Sequence, residues 1–165
     1  MTATVLRLPD REYALDRGDK LELRLWLRLL TCTNLIEANV RRQLRESFGT
    51  TLPRFDLMAQ LDRAPEGLSM SELSSRLMVS GGNVTGLVEA LRREGIVARS
   101  AHAKDRRSLI IRLTAKGRRL FQTMTPVHEQ WIDTLLGRIS RSDMQELFEL
   151  LGRLKHSIQS QGKTP

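Results

Sequence analysis

The feature that most restricts the fold is a change of hydrophobic period at Gly95. Before it, apolar residues recur at the i, i+3, i+4 and i+7 positions of an amphipathic helix: Val84, Leu87, Val88 and Leu91. After it, two runs rich in β-branched residues, 96–99 and 109–113, predict two strands. Because the polar segment 102–108 separates them, we expect the strands to form a β-hairpin with a polar tip.

A shorter helix is predicted just before this one. Ser69 and Glu72 have the spacing of a capping box, which predicts a helix over 69–78. After a tight turn, Ser80 is placed to cap the next helix, which runs to about Glu94. Two short helices followed directly by a hairpin are typical of a winged helix-turn-helix. The sequence therefore predicts a mainly α fold with a small β-hairpin wing.

Longer helices are predicted on both sides of this unit. The first runs from Asp19 to about Ser47, and its apolar residues cover more than the single stripe that a surface helix needs. A second subunit is the natural partner for so wide an apolar face. Pro53 suits the start of a second helix. A fifth helix is expected from Thr114 to about Arg138, with Pro126 as a kink or break. A sixth, opened by Ser140, carries a one-sided apolar stripe.

The positive charge of the chain is concentrated in one segment. The protein has 27 Lys and Arg against 19 Asp and Glu, a formal charge of +8. Residues 76–119 hold eleven basic and three acidic side chains, so the remainder of the chain is balanced. A solvated basic surface is the plainer interpretation. The concentration of basic side chains in one contiguous segment favours a binding site for a polyanion. For a winged helix-turn-helix, the expected polyanion is double-stranded DNA.

The predicted second helix of the pair has a small, polar face that suits the major groove, where groups near a helix start read base edges. Asn83 is a candidate for bidentate contact to adenine, whereas Ser80 and Thr85 are candidates for phosphate contacts. The candidate DNA-binding residues are Ser80, Gly81, Gly82, Asn83, Thr85, Gly86, Lys104, Arg106 and Arg107. The glycines indicate either close approach of the backbone to DNA or close helix packing, and the sequence leaves both open.

Other classes of function find little support. No Gly-x-Ser-x-Gly motif, phosphate-binding glycine loop or histidine cluster is present, so we expect neither an enzyme nor a metal or cofactor site. The single cysteine, Cys32, excludes an intramolecular disulfide. No apolar run approaches a membrane span and no signal peptide is evident, which predicts a cytoplasmic protein without a membrane partner. A winged-helix protein-interaction module without specific operator binding stays as the alternative.

Five motifs in this order resemble the multiple antibiotic resistance regulator (MarR) family of transcriptional regulators. They are Ser69-Glu72-Leu73, Val79-Ser80-Val84-Thr85-Leu87-Val88, Leu91-Gly95-Val97, Asp105-Arg106-Arg107 and Leu113-Thr114-Gly117. With the flanking helices, the resemblance covers about residues 19–160. Many members carry arginine after the Val-Thr pair, where this chain has Gly86. A base-reading arginine is therefore missing, and the operator cannot be taken from relatives.

The resemblance implies a homodimer that binds a pseudo-palindromic operator, usually as a repressor, and is released by a small ligand or by thiol oxidation. It divides the chain into an N-terminal arm, a helical dimerisation region and a DNA-binding lobe. These parts are 1–18, 19–50 with 115–160, and 51–114.

The effector implied by the resemblance is an aromatic acid or its CoA thioester. Segments 23–37 and 52–62 look similar to regulators of hydroxycinnamate and related aromatic-acid catabolism. The family's pocket lies where the first, second and fifth helices meet. The candidate ligand-binding residues are Trp26, Arg28, Arg54, Phe55 and Met58, with a core role for the aromatic residues and a solvated role for the arginines as alternatives. Cys32 lies in the middle of the apolar first helix and is therefore predicted to be buried and structural. A cysteine that senses oxidation would instead need exposure to solvent.

Overall fold

Helices and strands follow the two hydrophobic periods of the sequence. The computed structural model describes residues 20–77, 81–101 and 109–161. In chain order the elements are α1 (Leu21–Phe48), α2 (Leu52–Asp62), β1 (Leu68–Ser69), α3 (Met70–Leu77), α4 (Gly81–Arg93), β2 (Val97–Ala101), β3 (Leu109–Leu113), α5 (Ala115–Leu136) and α6 (Arg141–Gln161). Two compact units divide the chain, one reaching to Met124 and the other beginning at Thr125. Within the described ranges, no helix is both long and apolar enough to cross a bilayer.

The first unit contains a three-stranded antiparallel sheet in the order β1-β3-β2. The two predicted strands pair, with Val97 opposite Leu113 and Ala101 opposite Leu109, and this confirms the mainly α fold with a small hairpin. The third strand, β1, was not predicted. It has only two residues, and Leu68 pairs with Ile111. A strand this short has no visible period of its own, since the long-range pairing with β3 alone creates it.

Side-chain caps set several helix boundaries. The capping box of α3 forms as expected: the Ser69 amide donates to Glu72 Oε2 over 2.8 Å, and the Glu72 amide donates to Ser69 Oγ over 3.3 Å. Ser140 caps α6 through a bond from the Asp143 amide to its Oγ, 3.1 Å long. Helix α5 continues through Pro126, so the predicted break at this proline does not occur.

The core of the first unit is formed by side chains of the helices and of the sheet. Its fully buried side chains come from α1, α2, α3, α4, α5 and the two longer strands. The largest are Leu44, Leu57, Met58, Leu61, Leu73, Leu91, Ile111 and Met124. This arrangement fixes α4 against the body of the unit, since its Val84, Val88 and Leu91 are each 0% exposed.

Thr114 joins the end of α4 to the start of α5. Its Oγ1 donates to the Gly95 carbonyl over 2.7 Å and accepts from the Gly117 amide over 3.0 Å. Gly95 has a φ of +70°, the left-handed conformation that ends a helix and suits glycine. A Cβ added to Gly117 would lie 2.1 Å from the Ile96 carbonyl oxygen. The close approach of α5 to this turn therefore requires glycine at 117.

Gly117→Ala is expected to lower the free energy of unfolding by about 1–3 kcal/mol, because a methyl group has no space against the Ile96 backbone. Urea denaturation measures the change. Gly86→Ala is the matched control, since a Cβ added there meets no atom within 4 Å. The control is expected to raise stability by about 0.5–1 kcal/mol through helix propensity. Equal effects of the two substitutions would contradict the proposed constraint at Gly117.

Candidate nucleic-acid interface

Helix α4 presents the face that the sequence assigns to DNA. Gly82, Asn83, Thr85 and Gly86 are exposed, and they lie opposite the buried valines and leucine of the same helix. Gly81 is the first residue of α4. Ser80 and the predicted wing-tip residues Lys104, Arg106 and Arg107 lie outside the described residues. The structure thus brings together the helical half of the predicted DNA-contacting set.

The surroundings of Gly82 and Gly86 bear on the helix-packing explanation. A Cβ added to Gly82 or to Gly86 would have no atom within 4 Å. Close packing against another part of the described chain therefore does not explain glycine at these positions. Gly86 lies in the interior of α4, where glycine lowers helix stability by about 0.8–1.0 kcal/mol relative to alanine, so its presence on the exposed face calls for an external reason.

Ion pairs connect the last turns of α4 and the residue after it to α2 and β2. Glu89 accepts from Arg92 Nε over 3.0 Å and pairs with Arg99 of β2 over 2.5 Å. Glu94, just after the helix, pairs with Arg54 of α2. The hydrogen bond from Arg92 lowers the pKa of Glu89, and the hydrogen bond from Arg54 lowers that of Glu94. Both carboxylates are therefore ionised at neutral pH.

Part of the basic surplus is used within the protein. Arg99 binds Glu89, Lys116 Nζ donates to the Glu94 carbonyl over 2.8 Å, and Arg112 Nε donates to the Glu66 carbonyl over 2.6 Å. Arg93 and Arg119 are exposed. The charge count of the sequence therefore overstates how many cations of this segment lack a partner within the protein.

The five candidate ligand-binding residues differ in their surroundings. Trp26 is 56% exposed on α1, and Arg28 is also exposed. Arg54 pairs with Glu94, whereas Met58 is 1% exposed in the core. Phe55 is buried and packs on Phe121, with ring centroids 5.4 Å apart. In the single chain, Phe55 therefore lies in the core, whereas Trp26 lies at the surface.

The expectation that Cys32 is buried is wrong for the single chain. Cys32 is exposed, as are several large apolar side chains of the first half of α1. The sequence correctly indicates an apolar surface here, but nothing in the described part of the chain covers it. Burial of Cys32 would need a partner.

A groove that the sequence did not predict lies beside the exposed face of α4. Its volume is about 750 Å³, and α1, the start of α2, the end of α3 and α4 form its walls. The lining residues are Glu37, Arg41, Thr51, Leu52, Pro53, Asp56, Leu77, Gly82, Asn83, Gly86, Leu87 and Ala90. Asp56 is the sequence signal for this groove, since it interrupts the otherwise apolar run 55–58 of a core helix.

The carboxyl group of Asp56 is ionised at a free-energy cost. Burial raises the pKa of Asp56, the neighbouring Glu37 charge raises it further, and Arg41 opposes both. An acid whose pKa is raised on folding favours the folded state in its protonated form. Its ionisation therefore lowers the free energy of unfolding as the pH rises above 3.8, the ordinary pKa of an aspartate carboxyl group.

Asp56→Asn is accordingly expected to raise the melting temperature by a few degrees at pH 7, because the amide removes the buried charge. The difference should shrink below the ordinary pKa of 3.8, where the wild-type carboxyl is also neutral. Thermal denaturation followed by circular dichroism at both pH values measures it. Asp62→Asn, at the end of the same helix and 3.9 Å from Arg118, is the control and should give no rise. A lower melting temperature for Asp56→Asn at pH 7 would contradict the analysis.

Comparison with known proteins agrees with this architecture. The model of the MarR family matches residues 48–108. The transcriptional activatory protein BadR of Rhodopseudomonas palustris is 30% identical over 85% of this chain and 81% of its own length. A crystal structure of a MarR family transcriptional regulator from Silicibacter pomeroyi is 35% identical, with a TM-score of 0.74 over 87% of this chain and 99% of that chain.

A second solved structure shares the fold at lower identity. Sco3205, a MarR family transcriptional regulator from Streptomyces coelicolor crystallised in complex with DNA, is 21% identical with a TM-score of 0.73. It covers 92% of this chain and 93% of its own. With the helix-turn-helix, the adjoining strands and the exposed face of α4, these similarities lead to one conclusion: the chain belongs to the MarR family of DNA-binding transcriptional regulators.

Proposed function

We propose that the protein is a homodimeric, ligand-responsive regulator that binds a pseudo-palindromic operator and acts as a repressor. The observation that carries the proposal is the way α4 is held in the fold. Three fully buried side chains pack it against the core, ion pairs bind its C-terminal end, and its opposite face is exposed. A rigid helix with one free face suits insertion into a major groove. The DNA partner in turn favours a cytoplasmic location.

The dimer is supported by apolar surface on two helices. In α1, Leu21 is 67% exposed and Trp26 is 56% exposed; in α6, Phe148 is 73% exposed and Ile158 is 61% exposed. Large exposed apolar patches are rare on monomeric proteins and usually mark interfaces. A second copy of the chain that covers α1 and α6 would remove this surface from water. It would also bury Cys32, which is exposed in the single chain.

Phe148→Glu is expected to shift the protein from dimer to monomer at micromolar concentration, because it places a charge in the proposed apolar interface. Sedimentation velocity measures the mass in solution. Gln159→Glu adds the same charge to an exposed polar position of α6 and should leave the dimer intact. A Phe148→Glu protein that remains dimeric would exclude this part of α6 from the interface.

In the proposed complex, each subunit places α4 in one of two major grooves about 34 Å apart. The backbone at Gly82 and Gly86 approaches the base edges, and Asn83 and Thr85 contact bases or phosphates. The wing-tip residues Lys104, Arg106 and Arg107 contact the neighbouring minor groove or its phosphates. The resemblance implies repression, whereas activation is the role named for BadR. Expression of a reporter gene from the upstream region, with and without the protein, distinguishes repression from activation.

The proposed release of DNA requires an effector that binds a DNA-incompetent form better by a few kcal/mol. The resemblance implies an aromatic acid or its CoA thioester. The groove beside α4, which contains Glu37 and Asp56, points to a different class of molecule.

The test is fluorescence anisotropy of the full-length protein on labelled DNA from its own upstream region, at two salt concentrations. We expect nanomolar binding that exceeds binding to a scrambled duplex. Gly86→Ala should weaken specific binding about tenfold or more while stabilising the fold, since a methyl group would separate the backbone from the bases.

Two outcomes would contradict these proposals. Equal, weak and salt-sensitive binding to both duplexes would mean generic attraction and would favour the protein-interaction module. Unchanged specific affinity in Gly86→Ala would refute the close approach of the α4 backbone to DNA while leaving operator binding in place.

A further inference from the structure

The groove beside α4 has an excess of negative charge. Within the described part of the chain, its lining contains two carboxylates, Glu37 and Asp56, and one cation, Arg41. Arg41 is already engaged, because it forms a salt bridge with Glu37 one helical turn away. Among the described residues, no hydrogen bond or salt bridge reaches the Asp56 carboxylate, although its charge interacts with those of Glu37 and Arg41. The groove thus holds a half-buried carboxylate that lacks a direct partner.

The rest of the groove is largely apolar. Leu52 and Pro53 from α2, Leu77 from α3, and Leu87 and Ala90 from α4 form its walls. Its volume of about 750 Å³ falls in the range of pockets that take small organic ligands, roughly 300–1,000 Å³. A largely apolar groove with a surplus of negative charge selects a ligand with an apolar body and a group of positive charge.

From this geometry we propose that the groove binds a small organic cation, an amine or amidine with an apolar body. The cationic group lies at Asp56 with Glu37 nearby, and the apolar body lies between Leu52, Leu87 and the neighbouring walls. An aromatic carboxylate is disfavoured in the same place, since it would face two carboxylates and an arginine that is already paired. This site is also distinct from the expected pocket between the first, second and fifth helices, because α5 contributes no lining residue.

The position of the groove gives the ligand a route to DNA binding. Gly82, Asn83 and Gly86 line it and also belong to the proposed DNA-contacting face of α4. A ligand there competes for Asn83 or shifts α4, and by linkage any effect of ligand on DNA affinity equals the effect of DNA on ligand affinity. This regulatory consequence, unlike the binding site itself, rests on the proposed function.

The experiment compares three molecules of nearly one shape: 4-phenylbutylamine, 4-phenylbutyric acid and 4-phenylbutanol. Isothermal titration calorimetry of the full-length, DNA-free protein at pH 7 measures binding. We expect the amine to bind, and the acid and the alcohol to bind at least tenfold more weakly. Asp56→Asn should weaken amine binding about tenfold or more, the loss typical of a hydrogen bond to a charged group.

Two control variants keep the test specific. Asp62→Asn removes a carboxylate of α2 outside the groove and should leave amine affinity unchanged. Glu37→Gln should weaken amine binding, whereas Glu46→Gln, which breaks the comparable α1 pair with Arg42, should not. Both Asp56→Asn and Glu37→Gln must keep the far-ultraviolet spectrum of the wild type, which separates loss of the site from loss of the fold.

Equal binding of the amine, acid and alcohol would overturn the proposal, as would unchanged amine affinity in Asp56→Asn. Operator anisotropy with and without amine is measured separately. Amine binding that depends on Asp56 in a protein without specific operator binding would support the site and refute the proposed function. Specific operator binding without amine binding would do the reverse.

Discussion

The junction made by Thr114 holds together the end of α4, the end of β3 and the start of α5. Its hydroxyl group bonds the turn at the end of α4, while the same oxygen caps α5. Gly117 lets α5 approach this turn until backbone meets backbone, and Lys116 adds a bond to the Glu94 carbonyl. Since β3 ends at Leu113, the orientation of the wing strand is fixed at the same point as the end of α4. One side-chain hydroxyl thus couples α4 to the wing strand, the two elements of the proposed DNA contact.

Local signals in the sequence were sufficient for most of the fold. The capping box at Ser69, the cap at Ser140 and the change of period at Gly95 all depend on residues close in the chain, and the structure confirms them. The two-residue strand β1 and the pairing of Arg54 with Glu94 depend on contacts distant in sequence. No local pattern marks such contacts, so they were not predicted.

The candidate site shows the same division. The exposed face of α4 could be predicted because helical periodicity places Gly82, Asn83 and Gly86 opposite the buried residues. The groove could not, since Glu37 and Asp56 are nineteen residues apart on different helices and only tertiary structure brings them to one cavity. Burial of Cys32 was predicted wrongly because an apolar helical face indicates that something covers it, without indicating whether the cover is this chain or another.

The empty space around Gly86 also bears on how such a regulator can change its target. A new side chain at this position meets no atom of the described chain, so it needs no compensating change in the core. Most substitutions in a packed helix trade stability against function, whereas here helix propensity improves with almost any replacement other than proline. With α4 on DNA as proposed, operator preference can therefore diverge between descendants of this sequence by single steps at Gly86, at no loss of fold stability.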